Sequence, residues 1–364
     1  MKKALIINEG FSNNLGDQAI RESMTSLLQD SGFVTDFAYF TNPGVPGLPA
    51  YQYLDTAVGD KVEQPLSYRT KARLKLAFFY WMGINYRHIR QKLKKHRYDI
   101  VVIGGGQLLE SSGKDYPSRF AIALYWWTLL IKTMTKARIY VIGVGVGTTF
   151  NKKENYLFGK ALSRVDFIWV RDEFSRSSLY EKFKHRAVVT PDVAFYNGRN
   201  HTPAAASAGK ALIGITCYRE VFAKYNKSSK SREDYYEEWF LQVQRYLNRK
   251  LPVELFYTTI TDAAETIAFR DYVKSKHRIT LPVARLASVE DLKKLYVSAS
   301  DVYSGRMHAL ILAMKHRCTV KAYLISQKLK SFQEEYIDSG KPVSEYSEEI
   351  SGTFNKLLRD QIKL

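Results

Sequence analysis

The chain has 364 residues, with 55 Lys and Arg against 36 Asp and Glu, a formal net charge of +19 and a pI near 9.6. Apolar residues at 45% and aromatics at 13% exclude a disordered chain, and the length suits about two domains, each able to bury a core. Cys217 and Cys318 lie far apart with no C-x-x-C or Cys/His cluster, so neither a disulfide framework nor a structural zinc site is expected.

Lys2 and Lys3 precede an apolar run that ends at Ile7. That run is too short for a signal-peptide core, so residues 4–8 are predicted to form a first strand. A loop over 9–16 follows, then a helix from 18 to 30 with Ile20, Met24, Leu27 and Leu28 at helical spacing and Gly32 past its end. A strand over 100–103 runs into Gly104-Gly105-Gly106. The longest uncharged apolar stretch, 120–131, has twelve residues, whereas a bilayer span takes about 20; a soluble, intracellular protein is expected. A strand over 138–142 runs into GVGVG at 143–147, and one over 167–170 runs into Arg171-Asp172 and a helix.

The pattern restarts after 197–209, a stretch rich in Ala, Ser, Gly and Pro that is the expected linker. Strands are predicted over 211–216, 253–258, 301–304 and 319–324. Helices are predicted over 235–249, 289–298, 306–315 and 348–362. Strands alternating with helices imply parallel sheets wrapped by helices. The fold class expected is therefore α/β, with two Rossmann-like domains facing across a cleft. The first covers 1–196 and the second 210–345, with a C-terminal helix in 346–364 free to pack back on the first. Ligands of such sheets bind outside the carboxyl ends of the strands, so the loops there are where function is sought.

Ser304-Gly305-Arg306-Met307-His308 joins a strand to a helix. Helix N-termini attract anions; Arg306 adds a planar fork for phosphate or carboxylate, and His308 exchanges protons near neutral pH. A surface ion pair at Arg306 and a polar helix start at His308 fit the same residues. Arg171 also follows a strand, with Asp172 and Glu173 as ready partners. Asp192 either caps a short helix or lines the cleft. In the first strand-to-helix loop, Asn14-Leu15-Gly16-Asp17, Asp17 suits an N-cap or a base for a bound hydroxyl. Gly105 and Gly106 permit close backbone approach to a ligand, or simply a tight turn. No G-x-G-x-x-G fingerprint and no Walker A sequence is present.

Six segments, NNLGDQAI at 13–20, VVIGGGQLL at 101–109, VIGVGVG at 141–147, WVRDEFS at 169–175, TPDVAF at 190–195 and SGRMHALILA at 304–313, together resemble the polysaccharide pyruvyl transferase family in order and spacing. The resemblance implies a GT-B type fold and transfer of the enolpyruvyl carbons of phosphoenolpyruvate to two hydroxyls of a sugar, giving a cyclic pyruvate ketal and phosphate. It implies donor binding by Arg171, Arg306 and His308, with Lys328 matching a basic residue after the last strand. His308 is the expected general acid and Asp17 the expected base. Asn14, Gly16, Asp17, Gly105, Gly106 and Asp192 are expected on the acceptor side or the cleft wall. No metal and no cofactor beyond the donor is expected. The sequence departs from the family at 315–319, KHRCT, where a Gly-x-Pro-like turn is usual.

Residues 68–98 carry ten Lys/Arg and no acid around an aromatic centre. Such a helix suits an interfacial membrane contact, here through Arg73, Lys75, Phe78, Phe79 and Trp81, since anionic lipid attracts about 1 kcal/mol per basic residue. A solvated basic helix with its aromatics in the core fits equally, while no nucleic-acid module is recognisable. The expectation is a cytoplasmic enzyme, with the option of a peripheral place on the inner face of the plasma membrane and a lipid-linked acceptor. The rival readings are a GT-B glycosyltransferase using a nucleotide sugar and a non-catalytic glycan-assembly binding protein.

Overall fold

The computed structural model describes residues 1–10, 14–41, 76–198, 209–222 and 230–359. In chain order the first half holds β1 (Lys2–Asn8), α1 (Leu15–Asp30), β2 (Phe33–Tyr39), α2 (Ala77–Lys95), β3 (Ile100–Leu109), α3 (Arg119–Met134), β4 (Arg138–Val146), α4 (Lys152–Leu162), β5 (Phe167–Val170), α5 (Glu173–Phe183) and β6 (Val188–Val189). The strands form one sheet in the order β2-β1-β3-β4-β5-β6, parallel throughout. β1 is buried from Ala4 to Asn8 and β4 from Ile139 to Val146, because helices cover both faces of a parallel sheet.

The second half holds β7 (Lys210–Gly214), α6 (Arg232–Asn248), β8 (Val253–Leu255), α7 (Ile260–His277), α8 (Val289–Val297), β9 (Ala299–Ser304), α9 (Met307–Lys315), β10 (Thr319–Ala322), α10 (Gln327–Phe332) and α11 (Val343–Leu358). Its sheet runs β10-β9-β7-β8, also parallel. Strand order reverses between β1 and β3 in the first sheet and between β7 and β9 in the second, which opens a crevice at the carboxyl ends of each pair.

Several elements differ from expectation. β3 and β4 continue through their glycines, with Gly104 opposite Ile142 and Gly106 opposite Val144; ladder pairing holds residues that read alone as turns. β2 and α7 were not foreseen. β2 is an edge strand, half-buried along most of its length, and α7 buries Asp262, Glu265 and Thr266 beside Phe269 and Val273, so neither shows a clean apolar period. Residues 199–208 of the expected linker lie outside the described residues. Among the described residues no helix is long and apolar enough to cross a membrane.

One apolar cluster joins the two halves: Ile6, Ile20 and Leu27 belong to the same core as Leu212, Val302 and Leu310. Polar stitches reinforce it. Leu15 N donates to Thr258 O at 2.9 Å. At the far end of α9, Lys315 Nζ donates to Ser23 Oγ (3.2 Å), Ala194 O (3.1 Å) and Tyr196 O (2.7 Å). Burial among these neutral oxygens, with the Lys293 charge nearby, pulls that amine down to about 7. α11 returns to the first half, where the Tyr346 ring lies 4.9 Å from Phe195 and Ser347 Oγ accepts from Asn197 N at 3.0 Å.

Candidate active site

The two crevices face each other across a cavity of about 230 Å³. The loop after β1 supplies its first wall. Asn14 caps α1, its Oδ1 accepting from Gly16 N at 2.9 Å, so Asp17 is not the N-cap expected but a first-turn residue whose carboxylate faces the cavity. A Cβ on Gly106 would stand 3.7 Å from Asp17 Oδ1. Gly105 and Gly106 border the cavity with Asn14, Gly16 and Asp17. Gly16 is needed for close approach: a Cβ there would stand 2.9 Å from His308 Cβ and 3.1 Å from its Nδ1. The N-terminus of α1 thus packs directly on the histidine that α9 brings from the second half.

His308 and Arg306 both border the cavity at the start of α9. His308 Nε2 lies 3.4 Å from Asp192 Oδ2, which leaves Nδ1 toward the Gly16 backbone. Asp192 is buried behind the histidine and is not on the cavity wall as expected. It caps the turn Val193–Phe195 through Ala194 N (3.0 Å) and approaches Arg171 Nη1 at 3.5 Å. Burial pushes its carboxyl up, but His308 and Arg171 overcome that and hold it at about 2. The fixed carboxylate behind the histidine holds its ring in place.

Arg171, the other expected donor ligand, is also behind the wall. Its side chain is 2% exposed, and its guanidinium donates to Gln107 Oε1 (2.6 Å) and lies near Asp172 Oδ2 (3.4 Å) and Asp192 Oδ2. Arg306 reaches the cavity, but its fork is filled: Nε and Nη2 donate to the two oxygens of Asp262 at 2.8 and 2.7 Å, and Nη1 and Nη2 to those of Glu220 at 3.0 and 2.6 Å. Burial alone would lower its pKa; the paired carboxylates raise it instead.

Lys328, on α10, borders the same cavity and is half-buried. Burial and the Arg171 charge bring its amine down to about 7, against the pull of Asp192, Glu110 and Asp172. Sequence reading missed Glu9, Gln107, Glu220 and Asp262. Glu9 shares the cavity with Asp17. Burial raises its carboxyl, with the Asp17 charge adding to that, although Thr41 N donates to Oε1 at 3.0 Å. Gln107 stands directly after the triple glycine, a position that marks it for cavity contact. Among the described residues no group of His, Cys, Asp and Glu could hold a metal ion.

The two sheets thus share one polar cavity between their switch points. Residues 14–320 match the polysaccharide pyruvyl transferase family. The chain belongs to that family, and it is a transferase. No curated protein matches the sequence. Among solved structures, the UDP-GlcNAc 2-epimerase from Methanocaldococcus jannaschii is similar at a TM-score of 0.51 and 11% identity, over 92% of this chain and 87% of that one. The E. coli heptosyltransferase WaaC, solved with ADP-2-deoxy-2-fluoro heptose, is similar at 0.42 and 12%, over 88% of each chain. The first likeness is one of fold, and the fold is the GT-B type.

The described part of the basic segment, residues 76–98, is only partly a surface. Of the residues expected to meet a membrane, Arg73 and Lys75 lie outside the described residues. Trp81 is buried, its indole N–H donating to Thr41 O at 2.8 Å, and this corrects its expected role as a membrane contact. Phe78 packs on Trp126, ring centroids 4.8 Å apart. Among the described members of the set Phe79 alone is open, at 69% exposure, beside exposed Tyr80 and Ile84. Lys92 and Lys95 pair with Asp36 of β2 at 3.2 and 3.3 Å.

Proposed function

We propose that this transferase moves the pyruvyl group of phosphoenolpyruvate onto two hydroxyls of a sugar in a cell-surface glycan precursor, forming a ketal and releasing phosphate. The observation that carries the reading is the meeting, on one cavity, of Lys328, of His308 backed by buried Asp192, and of the N-termini of α1 and α9. Phosphoenolpyruvate sets a carboxylate and a phosphate on a three-carbon frame, a fit for an amine and helix N-termini. His308 donates a proton to the methylene carbon, leaving a cationic carbon that the first sugar hydroxyl attacks. The second hydroxyl then attacks the same carbon as the bond to the phosphate oxygen breaks. The two hydroxyl protons end on the methyl carbon and on phosphate, with Asp17 and Glu9 the carboxylates nearest the acceptor side. Beyond the donor the reading assigns no cofactor.

Arg306 serves the donor once Glu220 yields its share of the fork, and Arg171 acts from behind the wall. We place the reaction in the cytoplasm, at the inner face of the plasma membrane on a lipid-linked acceptor. Exposed Phe79, Tyr80 and Ile84 on a helix bearing Arg87 and Arg90 support that placement. Retention by anionic vesicles at physiological salt, weakened by Phe79→Asp, is the expected result.

The deciding experiment is thermal stabilisation by phosphoenolpyruvate beside UDP- and GDP-sugars. Ligand at 100 times its Kd should add about 2.7 kcal/mol. Stabilisation by phosphoenolpyruvate, with phosphate released when a sugar acceptor is added, supports the reading. Stabilisation by a nucleotide sugar alone would overturn it.

A further inference from the structure

Gln107 lies on β3 and borders the cavity, while Arg171 does not. Arg171 Nη2 donates to Gln107 Oε1 at 2.6 Å. A guanidinium has no acceptor, so the amide must turn its oxygen to Arg171, and its nitrogen is the atom left for the cavity. The orientation is tightly held. Asp172 and Asp192 stand at the other corners of the guanidinium, and Asp172 is itself fixed as the cap of α5 by accepting from Ser175 N at 2.7 Å. Gly145 of β4 leaves the space in which the two side chains meet; a Cβ there would stand 2.6 Å from Gln107 Oε1.

We propose that Gln107 is a ligand-binding residue whose amide N–H group donates to an anionic oxygen of the bound donor, and that Arg171 is a positioning residue acting through it. The identity of the donor rests on the reading above; the role of Gln107 toward an anion does not. Arg171 thus contributes to anion recognition at second hand: its charge orients a neutral donor that adds no electrostatic load of its own. The plain alternative makes Gln107 only a neutral partner that satisfies a buried arginine.

Gln107→Leu, read beside Gln107→Glu, separates the two. In Gln107→Glu a carboxylate pairs with Arg171 more strongly than an amide does, yet it removes the donor and sets a negative charge against the ligand. Phosphoenolpyruvate and inorganic phosphate would be titrated by calorimetry into the full chain, as wild type, Gln107→Glu, Gln107→Leu and Arg171→Lys, with urea melts alongside. The expected result is a Kd at least tenfold higher in Gln107→Glu for both anions, with no loss of melting midpoint. Gln107→Leu also binds more weakly, and combining it with Arg171→Lys adds little to either single change, the non-additivity of residues acting as one unit. Binding by Gln107→Leu equal to wild type overturns the proposal, whatever Gln107→Glu does, because a wall carboxylate repels an anion under either reading. If wild type binds phosphate but not phosphoenolpyruvate, the donor reading fails and the phosphate titrations still judge Gln107. If it binds neither anion, both fail.

Discussion

Arg171 and Arg306 look alike in the sequence, each set just past a strand, and both were expected to grip one donor. In the fold they differ. Arg171 is 2% exposed and holds two wall elements, Gln107 and the Asp192–His308 pair, without reaching the cavity. Arg306 is 23% exposed and stands on the wall, but Asp262 and Glu220 occupy its fork. A strand-end arginine therefore specifies a charge at a crevice; its neighbours decide whether that charge meets a ligand or builds the site.

Five changes test this contrast. His308→Ala removes the group in which the Arg171 chain of contacts ends, and kcat should fall by 10²–10⁴, the usual worth of a positioned acid; a loss below tenfold would move the proton donor elsewhere. Asp262→Ala strips Arg306 of its buried partner and should cost about 3–5 kcal/mol in urea unfolding, as for other broken buried pairs. Gly16→Ala forces a methyl onto His308 and should cost about 1–3 kcal/mol, with a larger drop in turnover than in stability. Donor affinity should fall as pH rises through about 7, because Lys328 loses its proton there, and Lys328→Met should flatten that slope. In the absence of donor the same lowered pKa acts on folding with the opposite sign: between about 7 and the ordinary lysine value the unfolded chain binds more protons, so stability rises with pH. The smallest effect belongs to Glu220→Gln, which loosens one side of the Arg306 fork and should improve phosphate binding a few-fold; weaker binding instead would mean that Glu220 holds Arg306 in its working pose.

The two-sheet fold was legible because short apolar runs alternate with helical stripes, although β3 and β4 run on through the glycines that read as their ends. The cavity residues Asn14, Asp17, Gly105, Arg306 and His308 followed from that alternation, whereas Glu9 and Gln107 did not. The partners of the arginines were not legible. Asp262 lies 44 residues from Arg306 and Glu220 lies 86 away, and no local pattern links them. The choice of Asn14 over Asp17 as the cap was hidden for a similar reason. Both are good caps, and a tertiary contact, Leu15 N to Thr258 O, accompanies the earlier start of the helix. Trp81 was misread because an aromatic in a basic helix looks the same whether it faces lipid or reaches inward to Thr41 O.

The stitching of α1 to the second half bears on how the protein can be cut. A fragment ending near residue 198 would leave bare the part of the shared apolar core that α8 and α9 cover. It would also leave Ser23 and the carbonyls of Ala194 and Tyr196 without the Lys315 amine. The complementary fragment would carry that amine with nothing to receive it. Boundaries drawn between the sheets for expression or reconstitution thus pass through the centre of a shared core, and tags or insertions belong at the outer edges of the sheets instead.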